Sequence, residues 1–126
     1  MTKRNKRKTI LVIEDDTNVQ TFASRVLELE GYSVLQAENA DEGLQLVREN
    51  ECALVLLDLR MTGRDGWAVL EEMKAEPELR AIPVVVFTAS VAAPQQDKAF
   101  EMGAADYLTK PLSVAKLREA VARIVG

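Results

Sequence analysis

Three short runs of apolar residues constrain the fold of this chain more than any other feature of its sequence. They are residues 9–13 (TILVI), 53–57 (ALVLL) and 82–87 (IPVVVF). A strand with one face in water alternates apolar and polar residues, whereas these runs are almost continuously apolar. We therefore expect three strands that are covered on both faces, as in the parallel sheets of α/β proteins.

The segments between these runs have the three-to-four spacing of amphipathic helices. Two more strands are predicted at 32–37, which is more polar and therefore nearer an edge, and at 106–108. A short helix is predicted from Pro94 to Gly103. The inward residues of the other four helices are predicted to be Val19, Phe22, Val26 and Leu29; Leu44 and Val47; Trp67, Leu70 and Met73; and Val114, Leu117, Val121 and Ile124. Five strands alternating with five helices predict an α/β fold with a parallel sheet.

The length of 126 residues is enough for one domain. Five of the first eight residues are Lys or Arg, although the formal net charge of the chain is −4. We expect residues 1–7 to form a solvated basic tail and residues 8–126 to form the domain. Contact between this tail and nucleic acid or another acidic surface is the alternative.

Two scarce residue types exclude several classes of function. The chain contains no histidine and one cysteine, Cys52. Internal disulfides, cysteine metal clusters and triads that use histidine are therefore excluded. The start MTKRNKRKTI lacks the apolar segment of a signal peptide, and no apolar stretch approaches the roughly 20 residues of a membrane span. A cytoplasmic protein is expected, with Cys52 as a small buried side chain.

Polar residues follow the predicted strands at the point where each strand ends. In chain order they are Glu14 and Asp15, then Asp58, then Thr88, and finally Lys110 after Thr109. Because the carboxyl ends of parallel strands meet at one edge of the sheet, where α/β proteins bind their ligands, we expect these side chains to lie close together. Asp16 or Thr17 is predicted to cap the following helix instead.

Three carboxylates in one crevice repel each other unless positive charge lies between them. Lys110 supplies one positive charge, and oxygen ligands favour Mg²⁺ as the source of the rest. A carboxylate beside Mg²⁺ and a lysine can attack phosphorus and form an aspartyl phosphate. A hydroxyl such as that of Thr88 can then donate a hydrogen bond to the phosphoryl group.

Four sequence stretches together resemble the response-regulator receiver domain of two-component signal transduction. They are ILVIEDD, LLDLRMTGRDGW, VVVFTAS and DYLTKPL, and they stand in the family's order. The resemblance covers the chain from about Lys8 to its C-terminus. It implies a CheY-like, flavodoxin-like (βα)5 three-layer sandwich whose five-stranded parallel sheet has the order 2-1-3-4-5.

The resemblance also implies a role for each matching residue. Asp58 would be phosphorylated, and Mg²⁺ would be bound by Glu14, Asp15, Asp58 and the backbone carbonyl of Arg60. Thr88 and Lys110 would contact the phosphoryl group, Thr88 and Tyr107 would form the switch, and the Lys110–Pro111 peptide would be cis. The family commonly has proline where this chain has Thr62, which is expected to loosen the loop after Asp58.

The expected function is therefore that of a phosphoacceptor rather than a conventional enzyme. A sensor histidine kinase or a histidine phosphotransfer protein would phosphorylate Asp58. A downstream protein would then bind the surface formed by the fourth helix, fifth strand and fifth helix, without direct DNA binding or membrane insertion. The same domain within a larger response regulator or hybrid kinase is the alternative.

Two rivals from other classes are weaker. A haloacid-dehalogenase-like phosphatase also uses a strand-end aspartate, Mg²⁺, threonine and lysine, but requires a second acid two residues after the nucleophile, where this chain has Arg60. A binding module that never accepts phosphate is expected to lack at least one of the five site residues. All five are present, namely Glu14, Asp15, Asp58, Thr88 and Lys110.

Overall fold

The computed structural model describes residues 7–61, 65–89 and 92–126. These residues form one sheet, whose strands are β1 (Thr9–Ile13), β2 (Ser33–Ala37), β3 (Leu54–Asp58), β4 (Val84–Thr88) and β5 (Asp106–Thr109). Neighbouring strands are parallel, and the order across the sheet is β2-β1-β3-β4-β5. The predicted topology is confirmed, as is the edge position of β2.

Helices connect the strands, and most of them begin at a residue that caps their free amide groups. They are α1 (Thr17–Leu29), α2 (Ala40–Glu49), α3 (Gly66–Ala75), α4 (Ala93–Glu101) and α5 (Val114–Val125). The side chains of Asp16, Asn39, Asp65 and Ser113 accept hydrogen bonds from first-turn amides, which the helix itself leaves unpaired. In the described part of the chain, no helix is both long and apolar enough to cross a membrane.

The continuous apolar runs are explained by two cores, one on each face of the sheet. Leu11 and Ile13 of β1 belong to the core shared with α2, α3 and α4. Ile10 and Val12 belong to the core shared with α1 and α5. Side chains alternate between the two faces of a strand, so a strand with a core on each side needs apolar residues at every position. This arrangement is the predicted three-layer sandwich.

The predicted inner face of α1 was wrong in part. Phe22 is 38% exposed and Leu29 is 82% exposed. The buried residues of α1 are instead Gln20, Ala23, Ser24, Val26 and Leu27. Apolar spacing misplaced the face because two of the buried positions carry polar side chains that form hydrogen bonds inside the protein. On α5, the predicted inward Val114 is likewise 43% exposed, whereas Leu117 and Val121 are buried.

Three strands extend one residue further toward the site than predicted. β3 includes Asp58, β4 includes Thr88, and β5 includes Thr109. Asp58 pairs with Phe87, and Thr88 pairs with Thr109. The polar residues are therefore fixed by the sheet itself rather than by loops beyond it. At their other ends, β2, β3 and β4 begin later than predicted, at Ser33, Leu54 and Val84.

Gly66 allows α3 to begin directly against the end of β3. A Cβ atom at this position would lie 2.2 Å from the carbonyl oxygen of Asp58 and 2.7 Å from the Cα atom of Leu59. The Gly66 amide donates a hydrogen bond to the Leu59 carbonyl at 3.2 Å. Since both close contacts are with backbone atoms, a larger residue cannot be accommodated by a rotamer change.

We predict that Gly66→Ala destabilises the protein by about 2–3 kcal/mol, because overpacking here displaces backbone. Urea unfolding measures the loss. Glu71→Ala, at an exposed position of the same helix, is the control and is expected to change stability little. A fully stable Gly66→Ala protein would contradict the close approach of α3 to β3.

Candidate functional site

An ion cluster lies at the carboxyl edge of the sheet. Glu14 directly follows β1, Asp58 is the last residue of β3, and Lys110 directly follows β5. The Lys110 Nζ atom lies 3.2 Å from Asp58 Oδ2 and 2.9 Å from Glu14 Oε1. The contact with Asp58 is a hydrogen bond, whereas that with Glu14 is an ion pair without hydrogen-bond geometry.

Both carboxylates of this ion cluster are buried. The exposed fraction is 0% for Glu14 and 1% for Asp58. Burial, together with repulsion from Asp58, raises the pKa of Glu14 to about 7. Burial by itself lowers the pKa of Lys110, but the adjacent carboxylates of Glu14 and Asp58 raise that pKa overall. Lys110 therefore remains a cation, and it is needed to compensate the buried negative charge.

Backbone amides hold the carboxylates in fixed orientations. The Asp16 amide donates to Glu14 Oε2 at 2.9 Å, and the Arg60 amide donates to Asp58 Oδ1 at 3.0 Å. In each case the amide lies two residues after the carboxylate, so the strand end and the following turn form one rigid unit. Among the described residues, Glu14 Oε1 has no hydrogen-bond donor.

The site can hold a metal ion. Glu14, Asp15 and Asp58 each offer a carboxylate oxygen, and these three atoms lie within 4.8 Å of one another. Asp15 is exposed, which leaves an approach from solvent. Three carboxylates against one lysine leave an excess of negative charge that a divalent cation would balance. The oxygen donors of these three carboxylates fit a hard cation such as Mg²⁺.

Thr88 places a hydroxyl at the same edge of the sheet. Its side chain is fully buried, and Oγ1 has no hydrogen-bond partner among the described residues. A buried hydroxyl without a partner costs roughly 1–3 kcal/mol. Such a group in a native protein calls for a reason, and a ligand that accepts its hydrogen bond would supply one.

Tyr107 lies on β5, two residues before Thr109, the pairing partner of Thr88. Its ring is half-buried and packs against the core on the α2, α3 and α4 face. A cavity of about 320 Å³ lies beside it, lined among others by Gln96, Pro111 and Lys116. The ring therefore stands between the core and the surface formed by α4, β5 and α5.

The remaining predicted positions have mixed outcomes. Arg60 contributes its amide to Asp58, while its side chain is exposed. The metal-binding role of its carbonyl stays a prediction. The Lys110–Pro111 peptide is cis, as predicted, and Cys52 is buried. Thr62 and residues 1–6 of the expected tail lie outside the described residues.

Sequence reasoning missed Gln20, which is 5% exposed and donates to the Glu14 carbonyl. Apolar spacing carries no signal for a buried polar residue. Only one feature of the sequence points to Gln20. It lies six residues after Glu14, one turn into the helix that follows the acidic turn.

Fold and site together define a CheY-like receiver fold with an acidic strand-end cluster. The chain belongs to the response regulator receiver domain family of two-component signalling, whose model matches residues 10–122. The chain is 32% identical over 117 residues to the phosphate regulon transcriptional regulatory protein PhoB of Pseudomonas aeruginosa, covering 93% of this chain and 50% of that protein. It is 36% identical over 115 residues to the transcriptional regulatory protein ResD of Bacillus subtilis, covering 91% and 45%. The chain thus spans about half the length of these curated relatives.

Solved structures agree with this family. A CheY-like receiver domain protein from Methanospirillum hungatei is 27% identical with a TM-score of 0.86, covering 95% of this chain and 94% of that one. The receiver domain of a signal transduction histidine kinase from Syntrophus aciditrophicus is 29% identical with a TM-score of 0.85, covering 94% and 89%. Receiver domains thus occur both in transcriptional regulators and in histidine kinases. Members of the family interact with histidine kinases and downstream effectors.

The expectation that the protein does not bind DNA directly is not supported by these comparisons. Several relatives are named as transcriptional regulators, and the matched region is half or less of their length.

The raised pKa of Glu14 leads to a prediction for the metal-free protein. The folded state holds this proton at higher pH than the unfolded state does. Its stabilising contribution is therefore complete below the ordinary pKa of 4.5 and is lost as the pH rises to about 7. In EDTA, Glu14→Gln should match the parent near about pH 4 and exceed its stability near about pH 8.

Urea unfolding at several pH values measures this difference. Glu71→Gln, which removes an exposed carboxylate from α3, is the matched control and should follow the parent throughout. A constant difference between parent and Glu14→Gln across this range would contradict the raised pKa.

Proposed function

We propose that Asp58 accepts a phosphoryl group in an Mg²⁺-dependent reaction and that this phosphorylation switches a partner-binding surface. The donor is the phosphohistidine of a sensor kinase or of a histidine phosphotransfer protein. The observation that carries the proposal is the buried Asp58 carboxylate, which contacts Lys110 and shares an acidic cluster with Glu14 and Asp15. An unpaired buried hydroxyl, Thr88, stands at the same strand ends.

In the proposed step, a carboxylate oxygen of Asp58 attacks phosphorus and forms a P–O bond. The P–N bond to the donor imidazole breaks, and its electron pair remains on the imidazole nitrogen. The product is an acyl phosphate on Asp58. The Lys110 ammonium lies 3.2 Å from Asp58 Oδ2, so it can neutralise charge on the transferring oxygens.

Glu14, Asp15 and Asp58 would hold Mg²⁺ through their carboxylate oxygens, with the Arg60 carbonyl as a further ligand. When bound, the ion neutralises negative charge on the carboxylates and on the incoming phosphoryl oxygens. The Arg60 amide orients the Asp58 carboxylate by a hydrogen bond. The burial of Asp58 keeps water away from one side of that carboxylate.

Phosphorylation would draw the Thr88 hydroxyl into a hydrogen bond with a phosphoryl oxygen. That change leaves room for the Tyr107 ring to shift inward, which biases an existing equilibrium between two ring positions. The output would be read on the surface formed by α4, β5 and α5. The same switch would serve a longer regulator, since the matched relatives are about twice as long.

The phosphatase alternative is not favoured by any contact in the site. It needs an acid two residues after the nucleophile, and that position carries Arg60, whose side chain is exposed. A binding module without phosphorylation leaves the buried Thr88 hydroxyl, which has no hydrogen-bond partner among the described residues, without an explanation.

We predict that acetyl phosphate with Mg²⁺ adds one phosphoryl group to the protein and that Asp58→Asn abolishes this labelling. Asparagine keeps the size of the side chain but has no nucleophilic carboxylate oxygen. Intact-protein mass spectrometry measures the labelling. Asp65→Asn, at the N-cap of α3, is the matched control and should be labelled normally. Labelling of Asp58→Asn, or of the parent in excess EDTA, would overturn the assignment.

We further predict opposite effects of Thr88→Val on stability and switching. Valine keeps the shape but removes a buried hydroxyl without a partner, so the unliganded protein should gain about 1 kcal/mol. Beryllofluoride with Mg²⁺, which stands in for the phosphoryl group, should change amide NMR shifts around Asp58 in both proteins. Only the parent should also show changes around Tyr107 and across residues 92–112.

Thr109→Val is the control for this experiment, because it removes the hydroxyl of the residue that lies opposite Thr88 on the next strand. It should keep the parent's response. If the shift changes in Thr88→Val reach Tyr107 as they do in the parent, Thr88 does not transmit the signal.

A further inference from the structure

Gln20 forms the most extensive set of buried side-chain hydrogen bonds next to the acidic turn. Its Nε2 atom donates to the carbonyls of Val12 and Ala37, each at 3.1 Å, and lies 3.4 Å from the Glu14 carbonyl. The Gln20 side chain is 5% exposed. One amide group from α1 therefore joins the carboxyl ends of β1 and β2.

The orientation of this amide is fixed from its other side. Ser24 Oγ donates to Gln20 Oε1 at 3.2 Å and accepts from Gln36 Nε2 at 2.8 Å. Ser24 is itself buried. Since the three carbonyls can only accept and the serine hydroxyl donates, the nitrogen of Gln20 has to face the strand ends.

The contacts of Gln20 flank Glu14 on both sides. Val12 lies two residues before Glu14, and the Ala37 carbonyl also accepts the Glu14 amide at 3.0 Å. On the helix side, Asp16 caps α1, the helix that carries Gln20, and its own amide donates to Glu14 Oε2. The turn of Glu14 and Asp15 is therefore held on one side by the Gln20 hydrogen bonds to the strand ends and on the other by Asp16 at the start of α1.

We propose that Gln20 is a positioning residue for the divalent cation, because its amide sets the place of the Glu14 and Asp15 carboxylates. The proposal rests on the proposed binding of Mg²⁺ at this site. Gln20 does not touch the ion. It acts through the backbone of the acidic turn, as residues behind metal ligands do in other proteins.

The choice of metal provides a readout that a merely structural role would not change. Mg²⁺ requires near-octahedral geometry at short distances, whereas Ca²⁺ accepts variable numbers of oxygen ligands at longer distances. A displaced acidic turn should therefore weaken Mg²⁺ binding more than Ca²⁺ binding. A general loss of stability should leave the ratio of the two affinities as it is.

The test measures dissociation constants of Mg²⁺ and Ca²⁺ for the parent and for Gln20→Met. Methionine has similar length and no hydrogen-bond donor. Trp67 is the only tryptophan of the chain and lines a cavity with Asp15 and Arg60, so its fluorescence can follow binding. Calorimetry provides an independent value. Gln20→Met should raise the dissociation constant of Mg²⁺ about tenfold and that of Ca²⁺ clearly less.

Two controls separate positioning from stability and from loss of side-chain polarity. Val121→Ala removes part of a buried side chain on α5, and it should lower the urea midpoint without changing either dissociation constant. Gln45→Met replaces an exposed glutamine on α2 that hydrogen-bonds to Glu49, and it should behave like the parent.

A second test variant is Ser24→Ala, which keeps the Gln20 side chain but removes the donor to its oxygen. It should shift the dissociation constant of Mg²⁺ in the same direction as Gln20→Met. It serves as the test if Gln20→Met does not fold.

The outcomes distinguish this proposal from the function on which it rests. If the parent binds Mg²⁺ and Asp15→Asn does not, while Gln20→Met and Ser24→Ala bind as the parent does, Gln20 is not a positioning residue although the metal site stands. An equal loss for Mg²⁺ and Ca²⁺, or the same loss in Val121→Ala, would also overturn it. A parent that binds no Mg²⁺ at all would overturn both proposals.

Discussion

The contact of Lys110 with two buried carboxylates is the interaction on which the rest of the site depends. A buried carboxylate without a partner costs several kcal/mol, and here two of them lie at the carboxyl ends of the adjacent strands β1 and β3. Lys110 reaches them from beyond β5, and its ammonium lies 5.2 Å from the centre of the Phe87 ring on β4. The strand order 2-1-3-4-5 is what places these groups at one edge, so the charge balance of the site follows directly from the topology.

The site also retains a buried hydroxyl that the described residues leave unpaired. Thr88 Oγ1 has no hydrogen-bond partner among them, whereas Glu14 Oε1 makes no hydrogen bond but lies 2.9 Å from the Lys110 ammonium. Native proteins contain few such atoms, because each one reduces stability. Two apolar cores, one on each face of the sheet, supply the stability that the site gives up. An anionic group that accepted the Thr88 hydrogen bond would account for this cost.

Much of this arrangement could be predicted from the sequence, for physical reasons that differ between elements. Apolar runs specify strands buried on both faces, and the polar residues that end them meet because parallel strands share an edge. The inner face of α1 could not be predicted, since Gln20 and Ser24 are buried by hydrogen bonds rather than by apolar contact. The C-terminal ends of β3 and β4 were predicted one residue too early because a polar residue within a buried strand is taken for its end.

The same features explain why a signal would leave through α4. Ala92, the N-cap residue of α4, has no side-chain group that can accept a hydrogen bond, and Ala99 is the buried residue of this helix. The other helices begin at capping side chains and bury larger faces. Thr88 is tied to the residue after β5, because its carbonyl accepts the Lys110 amide at 2.8 Å. A shift at Thr88 would therefore be transmitted to β5, and α4, which has the smallest buried apolar face of the helices, would be the first to move.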